Sequence, residues 1–134
     1  MTLEELLAAA TARITRYTPE EALAASGHDA LILDIRAEDA RARAGVIPGA
    51  HHVPRTVLEW RVASTEWSNP ELLGRRLILV CDHGYSSILA AATLVDLGIE
   101  AGDVVGGFAG WVRAGLPTTA SRQPDGVPGM GPPD

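Results

Sequence analysis

The chain holds one cysteine, Cys81, which ends the apolar run Leu77-Ile78-Leu79-Val80 and opens a short polar segment, Asp82-His83-Gly84-Tyr85-Ser86-Ser87. From Ile88 to Leu97 the residues read as a helix. A thiol at the carboxyl end of a strand, with a helix N-terminus behind it, faces backbone N–H groups that lack intrahelical partners. Those donors stabilise negative charge on sulfur. Gly84 lets the segment curl tightly, and Ser86 or Ser87 is placed to cap the helix. The chemistry this pattern supports is nucleophilic attack by a thiolate. A lone cysteine is also often a buried structural thiol, but the setting between strand, glycine loop and helix favours a reactive one.

Other residues invite weaker chemical readings. His83 sits in the loop, and an imidazole changes charge near neutral pH, so it would serve as a donor or partial cation there; a solvated loop histidine is the equally fitting alternative. Tyr85 either lines the mouth of the site or packs the loop from outside. Asp34 and Arg36, two residues apart, share a strand-side direction and read as a structural pair bracing the sheet edge. His51 and His52 are adjacent on an extended segment and therefore point opposite ways. With no third ligand near them, no metal site is expected. Trp111 reads as core, while Trp60 and Trp67 cannot be assigned to a face.

The elements that must position these residues follow from patterning. Residues 2–12 read as a helix with Leu3, Leu6, Leu7 and Ala10 on one side, and Arg13 to Tyr17 as a short edge strand. Thr18-Pro19-Glu20-Glu21 has capping-box spacing with proline at the first helical position, and that helix stops near Gly27. Ala30-Leu31-Ile32-Leu33-Asp34 and Leu77 to Val80 are continuous apolar runs, as expected of strands buried on both faces. Between them the spacing predicts a helix over Glu38–Arg43, a tight loop over Gly45–Ala50, a short strand at Val53, and a helix over Thr56–Ala63. After Cys81 come a helix over 87–97 stopped by Gly98, a strand over Asp103–Val105 and a helix over Phe108–Arg113. Strands alternating with helices predict an α/β fold, a parallel sheet covered on both sides, whose ligands bind beyond the carboxyl ends of the strands.

Composition narrows the function classes. A chain of 134 residues with 46% apolar side chains suits one domain that buries about two-thirds of its unfolded surface. The domain is expected over residues 1–119, followed by a Pro/Gly-rich tail over 120–134 that is expected to be disordered. A net charge of −6 makes nucleic acid and anionic membranes poor partners. One cysteine excludes an internal disulfide framework and multi-cysteine zinc. No signal-peptide pattern opens the chain and no run nears the roughly 20 apolar residues of a spanning helix, so a reducing, cytoplasmic setting is expected.

Four segments in register are similar to the rhodanese-like, or sulfurtransferase, domain family. They are Leu31 to Arg36, Ile47-Pro48-Gly49-Ala50 with Val53-Pro54, Cys81-x-x-Gly84-x-x-Ser87, and Gly106-Gly107 with Trp111. Together they cover about residues 14–118. The resemblance implies a three-layer fold, a five-stranded parallel sheet with helices on both faces. It implies an active loop from Cys81 to Ser86, with Asp34, Arg36, Gly106 and Gly107 as structural support. It also implies that Cys81 takes sulfane sulfur from a small donor as a persulfide and passes it to a thiol or protein acceptor, without a cofactor.

The loop departs from the family in one consequential way. Many members carry a basic residue where Ser86 stands, whereas this loop has no Lys or Arg and carries Asp82. An acid at the mouth repels a dianion, so thiosulfate is expected to be a poor donor and persulfides, polysulfides or a partner protein better ones. The segment from Gly98 to Gly106 is about one residue shorter than the commonest family form, which would alter the pocket rim. A cysteine phosphatase would need an arginine six positions after the cysteine to grip phosphoryl oxygens, and Ser87 stands there. The alternative function is a non-catalytic protein-binding or redox-sensing module that retains the cysteine.

Overall fold

The computed structural model describes residues 1–121. The tail expected from 120 onward therefore lies, from residue 122, outside the described residues. Five parallel strands form one sheet in the order β1-β5-β4-β2-β3. They are β1 (Thr15–Tyr17), β2 (Ala30–Asp34), β3 (His51–His52), β4 (Arg76–Val80) and β5 (Ala101–Val104). The helices are α1 (Leu3–Arg13), α2 (Pro19–Ser26), α3 (Glu38–Ala44), α4 (Leu58–Ala63), α5 (Ser86–Asp96) and α6 (Gly107–Arg113).

Local chemistry explains several boundaries. The capping box opening α2 is formed as the spacing predicts: Glu21 N–H donates to Thr18 Oγ1 at 3.1 Å and Thr18 N–H to Glu21 Oε1 at 2.8 Å. At the end of α5, Ile99 N–H bonds Leu94 C=O and Gly98 N–H bonds Val95 C=O, with Gly98 at φ 83°. This is the Schellman arrangement, and it turns the chain directly into β5.

The period of two along β4 divides the core. Leu77 and Leu79 face one apolar layer with α4 and α5, while Ile78 and Val80 face the other with Ala22, Phe108 and Trp111. All four are 0% exposed, which makes β4 the centre of both layers. Cys81 continues the Leu77–Leu79 parity and lies in the first layer, so its sulfur emerges on the α5 side of the sheet edge.

Several expected boundaries shift: Arg13, expected to open the first strand, ends α1, and β1 begins at Thr15. The strand expected at Val53 is His51–His52, paired with Leu33 and Asp34; Val53 N–H still bonds Asp34 C=O just beyond it. The helix expected over 56–63 begins as a 3₁₀ turn at Arg55–Val57 and becomes α-helical only at Leu58. The last strand runs Ala101–Val104, two residues earlier than expected. Gly102 hid its start, because glycine does not favour strands on its own.

Candidate active site

Cys81 leaves β4 as the chain turns away from the sheet, and the segment 82–85 leads into α5. Cys81 is 5% exposed. Gly84 N–H donates to Sγ at 3.1 Å, and the thiol lies 3.2 Å from Ser87 Oγ. Burial pushes the Cys81 thiol up. Hydrogen bonds with the Ser86 and Ser87 hydroxyls and from the Ser87 and Gly84 amides outweigh it and leave the pKa below its ordinary value.

The loop is locked from below by α6. Phe108 N–H donates to the Cys81 carbonyl at 2.8 Å and Ala109 N–H to the Asp82 carbonyl at 3.1 Å, so the orphan amides at the start of α6 are satisfied by the loop itself. This approach needs glycine on both sides. A Cβ on Gly84 would stand 2.6 Å from Gly106 N, and one on Gly107 would stand 2.5 Å from the Cys81 carbonyl oxygen. Both residues also sit at positive φ, 85° and 59°.

Behind the sulfur lies a charged chain that the sequence did not reveal. Ser87 Oγ donates to Asp103 Oδ2 at 2.7 Å. Asp103, fully buried on β5, is gripped by Arg16 of β1 through Nε to Oδ1 at 2.8 Å and Nη2 to Oδ2 at 3.0 Å. Arg16 Nη2 also donates to the Gly84 carbonyl at 2.8 Å. Hydrogen bonding to Asp103 holds the Arg16 guanidinium firmly protonated.

The other expected residues divide clearly. Asp82, His83, Tyr85 and Ser86 are exposed, whereas Gly84 and Ser87 are buried. The cap expected from Ser86 or Ser87 is absent: Tyr85 precedes the helix without a side-chain cap bond, and the two serines are its first two residues. Ser87 has turned inward to Asp103 and the sulfur instead. His83 and Tyr85 line an open pocket of about 410 Å³ with Arg16, Gly84, Val105, Gly106 and Arg113.

Asp34 and Arg36 do form a pair, joined by two bonds of 2.8 and 3.0 Å and both buried. By strand parity Asp34 faces away from the sulfur. Arg36 stacks 3.9 Å from the Phe108 ring centroid and bonds the Gly45 carbonyl, bracing α6 and the loop after α3. His52 bonds the Arg36 carbonyl through Nε2 at 2.9 Å, and His51 lies 4.0 Å from Glu71. Among the described residues no group of three or more His, Cys, Asp or Glu side chains could hold a metal ion.

This arrangement has a recognised counterpart. The sequence matches the family described as the rhodanese-like domain over residues 18–114. The chain belongs to that family. It is 37% identical over 97 residues to a thiosulfate sulfurtransferase GlpE of Stutzerimonas stutzeri (strain A1501), an alignment spanning 72% of this chain and 83% of the relative. Its fold superposes with a TM-score of 0.81 on a Rhodopseudomonas palustris CGA009 protein, described as of unknown function and a possible tyrosine phosphatase. That pair is 30% identical over 89% of this chain and 95% of the other. A thiosulfate sulfurtransferase from Pseudomonas aeruginosa superposes with a TM-score of 0.64 at 26% identity, covering 81% of this chain and 20% of that one.

Within this rhodanese-like domain, the cations at the pocket come from outside the loop. Arg16 is supplied by β1 and Arg113 by the end of α6, and the sequence placed neither at the site. An isolated acid in the short strand 101–104 was the signal available for Asp103, since an ionised carboxylate on a buried strand requires a cationic or hydrogen-bonding partner. Among the described residues no helix is long and apolar enough to cross a membrane.

Proposed function

We propose that this rhodanese-like domain is a sulfurtransferase or persulfide carrier in which Cys81 is the sulfur-accepting nucleophile. The observation that carries the reading is a thiol at the end of β4, hydrogen-bonded by the Gly84 amide and Ser87, with its pKa lowered. The thiolate attacks the outer sulfur of a sulfane donor. A bond forms between Sγ and that sulfur, and the donor departs as a thiolate or sulfite with the electron pair of the broken bond. An acceptor nucleophile then attacks the outer sulfur, and Sγ leaves as thiolate. The loop amides would stabilise the negative charge in both resting states.

Burial of the sulfur favours a donor that is narrow at its reacting end, such as a persulfide or polysulfide. Thiosulfate is proposed to be an inefficient donor, because Asp82 lies in the exposed loop and Arg16 is neutralised by Asp103. Arg113 remains as a cation on the pocket wall. Phosphate-ester hydrolysis is disfavoured, since Ser87 occupies the position where the phosphatase arginine would stand and its hydroxyl is bonded to Asp103. The cell compartment proposed is the cytoplasm, and the partners a small sulfane-sulfur donor and a thiol or protein acceptor.

Reduced protein incubated separately with thiosulfate and with a low-molecular-weight persulfide tests the reading by intact mass. Gain of one sulfur atom, lost in Cys81→Ser, is the expected result. Sulfur uptake retained by Cys81→Ser would sink the mechanism. No uptake from any donor, with the thiol still open to alkylation, would favour a binding or redox-sensing module.

A further inference from the structure

We propose that Asp103, clamped by Arg16, is a positioning residue that sets the direction of the Ser87 hydroxyl and thereby the readiness of Cys81 to ionise. A serine hydroxyl has one proton to give and lone pairs to accept with. Ser87 Oγ stands 2.7 Å from Asp103 Oδ2 and 3.2 Å from Cys81 Sγ. An ionised carboxylate only accepts, so the Ser87 proton points to Asp103 and a lone pair faces the thiol. The thiol can then donate its own proton to Ser87, which stabilises the protonated form. When Cys81 ionises, the hydroxyl must turn its proton to the sulfur. Asp103 gives up that bond but keeps two from Arg16.

The same ion pair also governs the second group on the sulfur. Arg16 holds the Gly84 carbonyl at 2.8 Å, and the Gly84 amide donates to Sγ at 3.1 Å. Two of the sulfur's hydrogen-bond partners, the Ser87 hydroxyl and the Gly84 amide, are thus tethered to one cross-strand pair, Arg16 and Asp103, which face each other in the β1–β5 register. The charged and titratable groups around Cys81 are Arg16 from β1, Asp103 from β5, Asp82, His83 and Tyr85 from the loop, and Arg113 from the end of α6, which shares the pocket wall with His83 and Tyr85. α5 adds no charge at its contact with the loop, which it makes through Ser86 and Ser87. Arg55, leading into α4, is paired with Glu59, and Asp34 and Arg36 lie on the other sheet face.

The carboxylate consequently restrains the thiolate and favours the loaded form. In a persulfide the charge moves to the outer sulfur, about 2 Å further along the S–S bond, and Sγ no longer needs the Ser87 proton. This consequence rests on the sulfur-carrier reading; the effect on the thiol does not.

The test is the pH dependence of iodoacetamide alkylation of the full chain. Asp103→Asn removes a negative charge beside the sulfur, frees the Arg16 cation, and can donate to Ser87 Oγ so that its proton turns to Sγ. All three effects act in one direction. The alkylation midpoint is expected to fall by about one pH unit, a tenfold gain in thiolate at pH values below it. In a Ser87→Ala background the shift should shrink. An unchanged or raised midpoint in Asp103→Asn overturns the proposal, and a shift of full size without Ser87 overturns the route through the hydroxyl. Arg16→Gln, which keeps amide donors for Asp103 and Gly84, carries the test with opposite sign if Asp103→Asn does not fold; a midpoint that does not rise would then overturn it. Lowered midpoints with no sulfur uptake from any donor would leave this inference standing while removing the carrier reading.

Discussion

Cys81 is a buried thiol whose hydrogen-bond partners favour ionisation while its burial opposes it. Burial by itself disfavours the thiolate, and only convergent donors reverse the sign. Under the proposed sulfur-carrier reading, the exposed side chains of the loop would act instead on what approaches the sulfur. Ser86 is exposed at the first position of α5. Replacing it by arginine adds a cation at the mouth, leaves Ser87 in place and removes the Ser86 hydroxyl's hydrogen bond with Cys81. Ser86→Arg should raise kcat/KM for thiosulfate by about tenfold, the effect of one added charge on a dianion at close range in a high-dielectric setting. A steady-state assay that reports the ratio of kcat/KM for thiosulfate to that for a neutral organic polysulfide checks this, since the lost Ser86 bond acts on both donors and the added charge on thiosulfate alone. Arg113→Gln should move the same ratio the other way.

At the scale of elements, the loop depends on α6 and on the buried pair that braces it. Gly107→Ala would drive a methyl group into the Cys81 carbonyl at 2.5 Å, where the neighbour is backbone and cannot swing aside. We expect this variant to lose sulfur uptake and to unfold at lower denaturant than the parent, as read by intact mass and urea titration. Asp34→Ala leaves Arg36 buried without its partner, a loss of about 3–5 kcal/mol for a pair of this kind. The urea midpoint of Asp34→Ala should fall accordingly. Its thiol alkylation profile should remain near that of the parent, because Asp34 faces the opposite side of the sheet from Cys81. A displaced alkylation profile would argue that the brace reaches the sulfur after all.

For the whole molecule, a lowered thiol pKa couples stability to pH. The unfolded chain holds the Cys81 proton up to the ordinary value of 9.0, while the folded chain releases it earlier. Between the lowered value and 9.0 the unfolded state binds more protons, so stability rises with pH across that window. The contribution is fully present above the unfolded value and is lost as pH falls through the folded one. Unfolding free energies of the parent minus those of Cys81→Ser, measured from neutrality to alkaline pH, should therefore increase with pH. A flat difference would mean that folding does not favour the thiolate.

The sequence by itself determined the parts of this protein that depend on near neighbours. Leu31 to Leu33 and Leu77 to Val80 read as doubly buried strands because a continuous apolar run of that length has few other places to go. The α2 capping box is written in four consecutive residues, and the same local logic put Cys81 at a strand end before a glycine turn. The tertiary structure alone decided what stands behind the sulfur. Arg16 and Asp103 are far apart in the chain and meet only because β1 pairs with β5, the strand reached after three other strands have been laid down. Parallel neighbours are joined by long crossovers, so their registers cannot be read from local spacing. The direction of Ser87 was hidden for the same reason. A serine beside a helix start reads as a cap until a buried carboxylate from another strand offers it a stronger partner.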